Sequence, residues 1–106
     1  MIKVIIESPY ADGIEQHIEY ARECVKDSLM RGESPIASHL LYTQPNILND
    51  ESEEEREMGI EAGLAWLSVA DKHVFYVDLG VSSGMQIAAE QSKKLDIPTE
   101  YRTIRS

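Results

Sequence analysis

With a single cysteine, Cys24, the chain can form no intrachain disulfide, and a fold stapled by oxidation is excluded. No cluster of Cys and His has metal-ligand spacing, so no structural zinc and no other metal is expected. Basic residues are scarce. Ten Lys and Arg stand against nineteen Asp and Glu, a formal net charge of −9. That argues against broad nucleic-acid binding, which needs a basic footprint, but not against a small ligand, because a local pocket can oppose the global charge. No apolar run approaches the ~18–20 residues that span a bilayer, so no membrane partner is expected. Neither a serine elbow nor a Cys-His nucleophile signature is present, and no catalytic residue or cofactor is assigned. The start, Met1-Ile2-Lys3-Val4-Ile5-Ile6, lacks a basic stretch and a small-residue cleavage site. It reads as a first strand and not as a signal peptide, and a cytoplasmic location is expected. There is no internal repeat, low-complexity segment or linker.

What is present fits one domain over residues 1–106. A chain of 106 residues can bury about two-thirds of its unfolded surface. Its 42% hydrophobic and 27% charged fractions are those of an ordinary globular protein.

Ile2 to Glu7 is a β-branched run ended by Ser8-Pro9, read as a central strand buried on both faces. Asp12 and Glu15 make a capping-box-like helix start. Ile14, Ile18, Ala21, Val25 and Leu29 then recur at helical spacing, with Cys24 on the apolar side as a packed thiol, and Gly32 closes the helix. Pro35 begins a second strand, Ile36 to Leu41. After a turn-rich loop, Ser52 and Glu55 form another capping box. Glu53, Glu54, Glu55 and Glu57 suit the positive end of that helix and read as its solvated start. The helix continues to Ala70, with Met58, Ala62, Leu64 and Leu67 as core candidates. Gly59 and Gly63 lie four residues apart on it, spaced for close approach of another backbone, that of a symmetry mate for example. Lys72 to Asp78 is the third strand. Ser82 or Ser83 caps a third helix through Leu95, and Thr99 to Ile104 is the last strand.

The order β-α-β-α-β-α-β implies a parallel sheet between helices. Right-handed crossovers leave few topologies. The expectation is a small three-layer α/β domain, Rossmann-like or flavodoxin-like, with four parallel strands in the order 2-1-3-4.

In such sheets ligands bind beyond the C-terminal strand ends, where the strand order reverses. This selects three loops. The first is Ser8, Pro9 and Tyr10. The second holds Ser38, His39, Tyr42 and Gln44, with His39 at the end of a strand. The third runs from Asp78 to Ser82, Ser83, Gly84 and Met85. Tyr10 and Tyr42 can stack on a flat ring, His39 and Gln44 can hydrogen-bond, and Asp78 can accept from a ribose. The Gly80-Val81-Ser82-Ser83-Gly84 stretch opens a helix, where free amides and two hydroxyls suit an anion. It is neither a G-x-G-x-x-G nor a P-loop. His17 and His73 read as structural or surface residues.

Ile5-Ile6-Glu7-Ser8-Pro9-Tyr10, Ala70-Asp71, Gly80 to Gly84 and Ile97-Pro98 resemble the skeleton of nucleoside 2-deoxyribosyltransferases and related nucleotide N-glycosidases. Across nearly the whole chain, Ser8-Pro9-Tyr10-Ala11, Ala37 to Pro45 and Asp78-Leu79-Gly80 are similar to a family of small uncharacterised proteins common in phages and bacteria. The first resemblance implies a catalytic glutamate four residues after a glycine that follows an acid. Here the stretch is Ser83-Gly84-Met85-Gln86-Ile87-Ala88. A serine stands for the acid, and Ala88 stands where the glutamate would attack the anomeric carbon. Glu90, about 200° further round the helix, is expected to point away.

The resemblance therefore implies a binding protein on a glycosyltransferase-like scaffold, holding a nucleoside, a nucleotide or a nucleotide-derived signal such as a cyclic ADP-ribose. A phage protein of this kind would sequester an immune second messenger. The alternative is a nucleotide N-glycosidase, deoxyribosyltransferase or phosphodiesterase, with His39 and Asp78 as acid and base. A homo-oligomer is expected.

Overall fold

The β-branched run at the start becomes the middle of the sheet. In the computed structural model, which describes residues 1–10, 14–49 and 51–105, strand β1 (Lys3–Glu7) lies between β2 (Ser34–Ile36) and β3 (Lys72–Tyr76), and β4 (Thr99–Arg102) flanks β3. The order is β2-β1-β3-β4 and every pairing is parallel, as expected from the sequence. Helices α1 (Glu15–Met30), α2 (Ser38–Tyr42), α3 (Glu53–Leu64) and α4 (Ser83–Lys94) make the connections, with a 3-10 turn at Leu67–Val69. Among the described residues no helix is long and apolar enough to cross a membrane.

Strand alternation sorts the core into two clusters. Val4, Ile6, Val74 and Tyr76 pack with Tyr20 and Cys24 of α1 and with Ala37. Phe75 packs on the other side with Met85 and Ala88 of α4. A buried polar network ties β4 to the first cluster. Arg102 donates two bonds to Glu33, at 2.8 and 2.6 Å, and one to the Tyr76 hydroxyl at 3.0 Å.

Several sequence expectations need correction. The apolar run Ile36 to Leu41 is not one strand: β2 ends at Ile36, and Ser38–Tyr42 is a helical turn. Periodicity cannot separate these states in so short a run. The amides of Leu40 and Leu41 both turn back to the Ala37 carbonyl, each at 3.1 Å. Helix α3 stops at Leu64, short of the expected Ala70. Its second capping box is half formed. Ser52 Oγ accepts from the Glu55 amide at 3.4 Å, but the Glu55 side chain accepts from Asn49 N instead. Asp12 lies outside the described residues, and α1 follows Ile14, which makes no side-chain cap. Ile14, Leu29 and Met58 are exposed, while Tyr20 and Ser28 are buried. Gly32 has φ +83°, as a helix-ending glycine should. Ser82, and not Ser83, caps α4.

Gly59 and Gly63 face their own chain. A Cβ at Gly63 would stand 2.4 Å from Ser38 Oγ, and one at Gly59 would stand 3.1 Å from Leu48 Cδ1. The close approach they allow is that of α3 to α2 and the loop after it.

Candidate functional site

The sheet order creates one crevice. The chain goes from β1 to β2 on one side, then crosses to β3 on the other, so strand order reverses between β1 and β3. The cleft opens at their C-terminal ends and encloses a cavity of about 150 Å³.

The floor is the end of β1. Ser8 is buried, and its hydroxyl shares a 2.8 Å hydrogen bond with His39 Nε2. Glu7 lies beside it on the other face of the strand, and its Oε2 is 2.9 Å from His73 Nε2.

One wall is α2. Its helical turn, which replaces the expected strand, places Ser38, His39 and Tyr42 together on the cleft. Thr43 donates to the His39 carbonyl at 2.7 Å and shares a 2.9 Å contact with the Tyr10 hydroxyl. Tyr10 meets the His39 ring edge-on, with centroids 5.2 Å apart. The Tyr42 hydroxyl accepts from Trp66 Nε1 at 3.3 Å. Burial holds the His39 pKa below the usual histidine value, against the pull of Glu7, so its ring favours the neutral form. His39 Nδ1 is buried without a hydrogen-bond partner among the described residues. An atom left this way costs about 1–3 kcal/mol.

The opposite wall is the start of α4. Ser82, Ser83, Gly84, Met85 and Ala88 line it. Ser82 Oγ accepts from the Met85 amide at 3.2 Å, so this hydroxyl is engaged as a cap. The amides of Ser83 and Gly84, the first two of the helix, precede any possible intrahelical acceptor.

Helix α3 closes the cleft with Arg56, Gly59, Ile60 and Gly63. These follow the spacing 0, 3, 4, 7, one helical face. No carboxylate pairs with the Arg56 guanidinium among the described residues.

Three residues expected at the site lie elsewhere. Pro9 is buried and does not line the cleft. Gln44 Nε2 donates to the Leu40 carbonyl at 2.9 Å, outside the cleft. Asp78 is committed to holding the C-terminal segment. It accepts from the Tyr20 hydroxyl at 2.6 Å, from Ile104 N at 3.0 Å and from Arg105 N at 2.8 Å. These donors keep its carboxyl below the ordinary aspartate value despite partial burial. No bond joins it to His39, so the expected acid–base pair is not assembled.

Sequence reading gave no site role to Thr43 or Arg56, and considered Glu7 only as a substitute for the absent catalytic glutamate and not as a ligand-binding residue. Arg56 could have been found from its helical register with Gly59 and Gly63. Glu7 could not, because its partner His73 is distant in sequence. Among the described residues no group of three or more His, Cys, Asp or Glu could hold a metal ion.

A family model described as "Domain of unknown function (DUF7768)" matches residues 2–102. No curated protein matches the sequence. Among solved structures, a 2-deoxyribosyltransferase from the psychrotolerant bacterium Bacillus psychrosaccharolyticus is similar, with a TM-score of 0.73 at 17% identity. The alignment covers 95% of this chain and 72% of that one. At this identity the likeness establishes a shared fold.

Proposed function

The chain belongs to the family described as a domain of unknown function (DUF7768), and on that premise we propose that it binds a nucleoside, nucleotide or nucleotide-derived signal in the cleft. The observation that carries this is the crevice where strand order reverses. Two tyrosines line it, with Arg56 of α3, which pairs with no carboxylate among the described residues, and the start of α4. The solved 2-deoxyribosyltransferase with the same fold is described as a biocatalyst for nucleoside synthesis, which supports this ligand class.

Holding without turnover is the form the reading takes. Ala88 lines the cleft with a methyl group, where the resemblance to deoxyribosyltransferases implies a glutamate nucleophile, and alanine offers no such chemistry. A phage protein that sequesters an immune second messenger would work in this way.

Gly84→Asp tests the reading. A Cβ at Gly84 would meet nothing nearer than Ser82 Oγ at 3.9 Å, so the fold accommodates it. An aspartate there also suits the helix dipole, while crowding the cleft with a negative charge. Calorimetric titration with nucleoside monophosphates and cyclic ADP-ribose should show binding to the wild type and none to Gly84→Asp, with thermal stability retained. Unchanged affinity in the variant would move the ligand elsewhere.

A further inference from the structure

Glu7 is held by a chain of side chains that the cleft's other residues do not explain. Along β1, Ile5 and Glu7 share the face that β3 fills with His73 and Phe75, their register partners. His73 is fully buried. Its Nδ1 bonds Ser92 Oγ of α4, and its Nε2 reaches Glu7 Oε2 at 2.9 Å. An ionised carboxylate can only accept, so Nε2 carries the proton and donates. Nδ1 pairs with the Ser92 hydroxyl. The bonds link Ser92 through His73 to Glu7, and each buried polar atom along the way has a partner. This linkage ends at Glu7 Oε1, which bonds no donor among the described residues and belongs to a side chain lining the cleft.

An imidazole on an apolar sheet face, beside the Phe75 ring at 4.4 Å, is costly unless its polar atoms are paired. A hydrocarbon side chain would fill that space without this requirement. What the imidazole adds is a fixed direction for one carboxylate. The other carboxylate lining the cleft, Glu55, already accepts from Asn49 N.

We propose that Glu7 is the acceptor for the hydroxyl groups of the ligand's sugar, and that the cleft therefore selects ribonucleotides over nucleotides without those hydroxyls. This rests on the nucleotide reading above. Position selects the sugar. Glu7 ends the strand between β2 and β3, so it lies between the tyrosine wall of α2, which follows β2, and the first turn of α4, which follows β3. In a nucleotide the sugar lies between the flat base and the phosphate. Vicinal hydroxyls can donate to the free lone pairs of both carboxylate oxygens.

The test is calorimetric titration of the wild-type chain with the four ribonucleoside 5′-monophosphates and with their 2′,3′-dideoxy counterparts. Glu7→Gln is titrated alongside. The wild type is expected to bind a ribonucleotide about 10- to 150-fold more tightly than its dideoxy form, the range for a lost charged hydrogen bond. Glu7→Gln should lose this preference. If ribo and dideoxy forms bind the wild type equally, the nucleotide reading stands and the role of Glu7 is overturned. A preference that follows the exocyclic amine of the base and not the hydroxyls overturns it too. If none of these monophosphates binds while cyclic ADP-ribose does, the selection of ribonucleotides by Glu7 is overturned and the wider reading stands; if cyclic ADP-ribose fails too, both fall. Equal binding of ribo and dideoxy forms by the wild type overturns the role of Glu7 even if Glu7→Gln folds poorly.

Discussion

Gly63 is where the cleft's architecture can be weighed most directly. An alanine Cβ there would stand 2.4 Å from Ser38 Oγ and 3.0 Å from Ser38 Cβ. The hydroxyl can rotate away, but the Cβ is fixed to the α2 backbone. Reaching an ordinary carbon contact of ~3.5–4.0 Å requires α2 to retreat by about 0.5–1 Å. Overpacking of this kind costs about 1–3 kcal/mol, while replacing a helical glycine with alanine returns about 0.8–1 kcal/mol. Gly63→Ala should therefore destabilise the protein by about 1 kcal/mol. Ser38→Gly removes the obstacle. In that background Gly63→Ala should stabilise by up to about 1 kcal/mol, because only the helix-propensity gain remains. Gly59→Ala is the internal comparison. Its new Cβ meets the mobile end of Leu48 at 3.1 Å, and its net effect should fall within about 0.5 kcal/mol of zero. Urea unfolding followed by circular dichroism measures all four variants and the coupling between the two sites. Additivity of Gly63→Ala and Ser38→Gly within about 0.5 kcal/mol would refute the claim that these helices meet at that glycine.

Cys24 has no exposed surface, and burial pushes its thiol up to about 12, so it should resist a thiol reagent at pH 8 until urea unfolds the chain; labelling of the native protein at the rate of a free cysteine would contradict its place in the core. The guanidinium of Arg102 holds Glu33 below the ordinary glutamate value and, with Lys72, holds Glu100 at about 2. Carboxylates lowered on folding contribute stability that is present above their unfolded value and lost as pH falls through the folded one. Acid unfolding should therefore steepen between pH 4.5 and about 2, and Arg102→Leu should flatten that dependence while costing about 3–5 kcal/mol at neutral pH. An unchanged acid profile in Arg102→Leu would remove the network from the account.

The strand order was legible because the signals for β1 and β3 are continuous β-branched or aromatic runs, and alternation with helices leaves few arrangements. Ser8, Tyr10 and the start of α4 were legible through the same rule, since they follow those strands directly. The segment after Ala37 was not. Ile36 to Leu41 has the composition of either a short strand or a helical turn, and backbone bonds to the Ala37 carbonyl decide it. His39 nevertheless reaches the cleft, from a helix instead of a strand end. Asp78 was misjudged for a different reason. Its position after β3 suits a ligand group, but its partners Tyr20, Ile104 and Arg105 lie far off in sequence. The same distance hid the link between Glu7 and His73, which pairwise spacing in the chain cannot reveal.

The central claim is that the cleft holds a nucleotide-like ligand without changing it. Incubation of the protein with nucleoside monophosphates and cyclic ADP-ribose, removal of unbound material, denaturation and chromatography of the released compounds tests it most directly. A nucleotide should be retained and released intact in proportion to protein. Release of a free base, a transferred sugar or a cleaved phosphodiester would contradict it, as would the absence of any retained nucleotide.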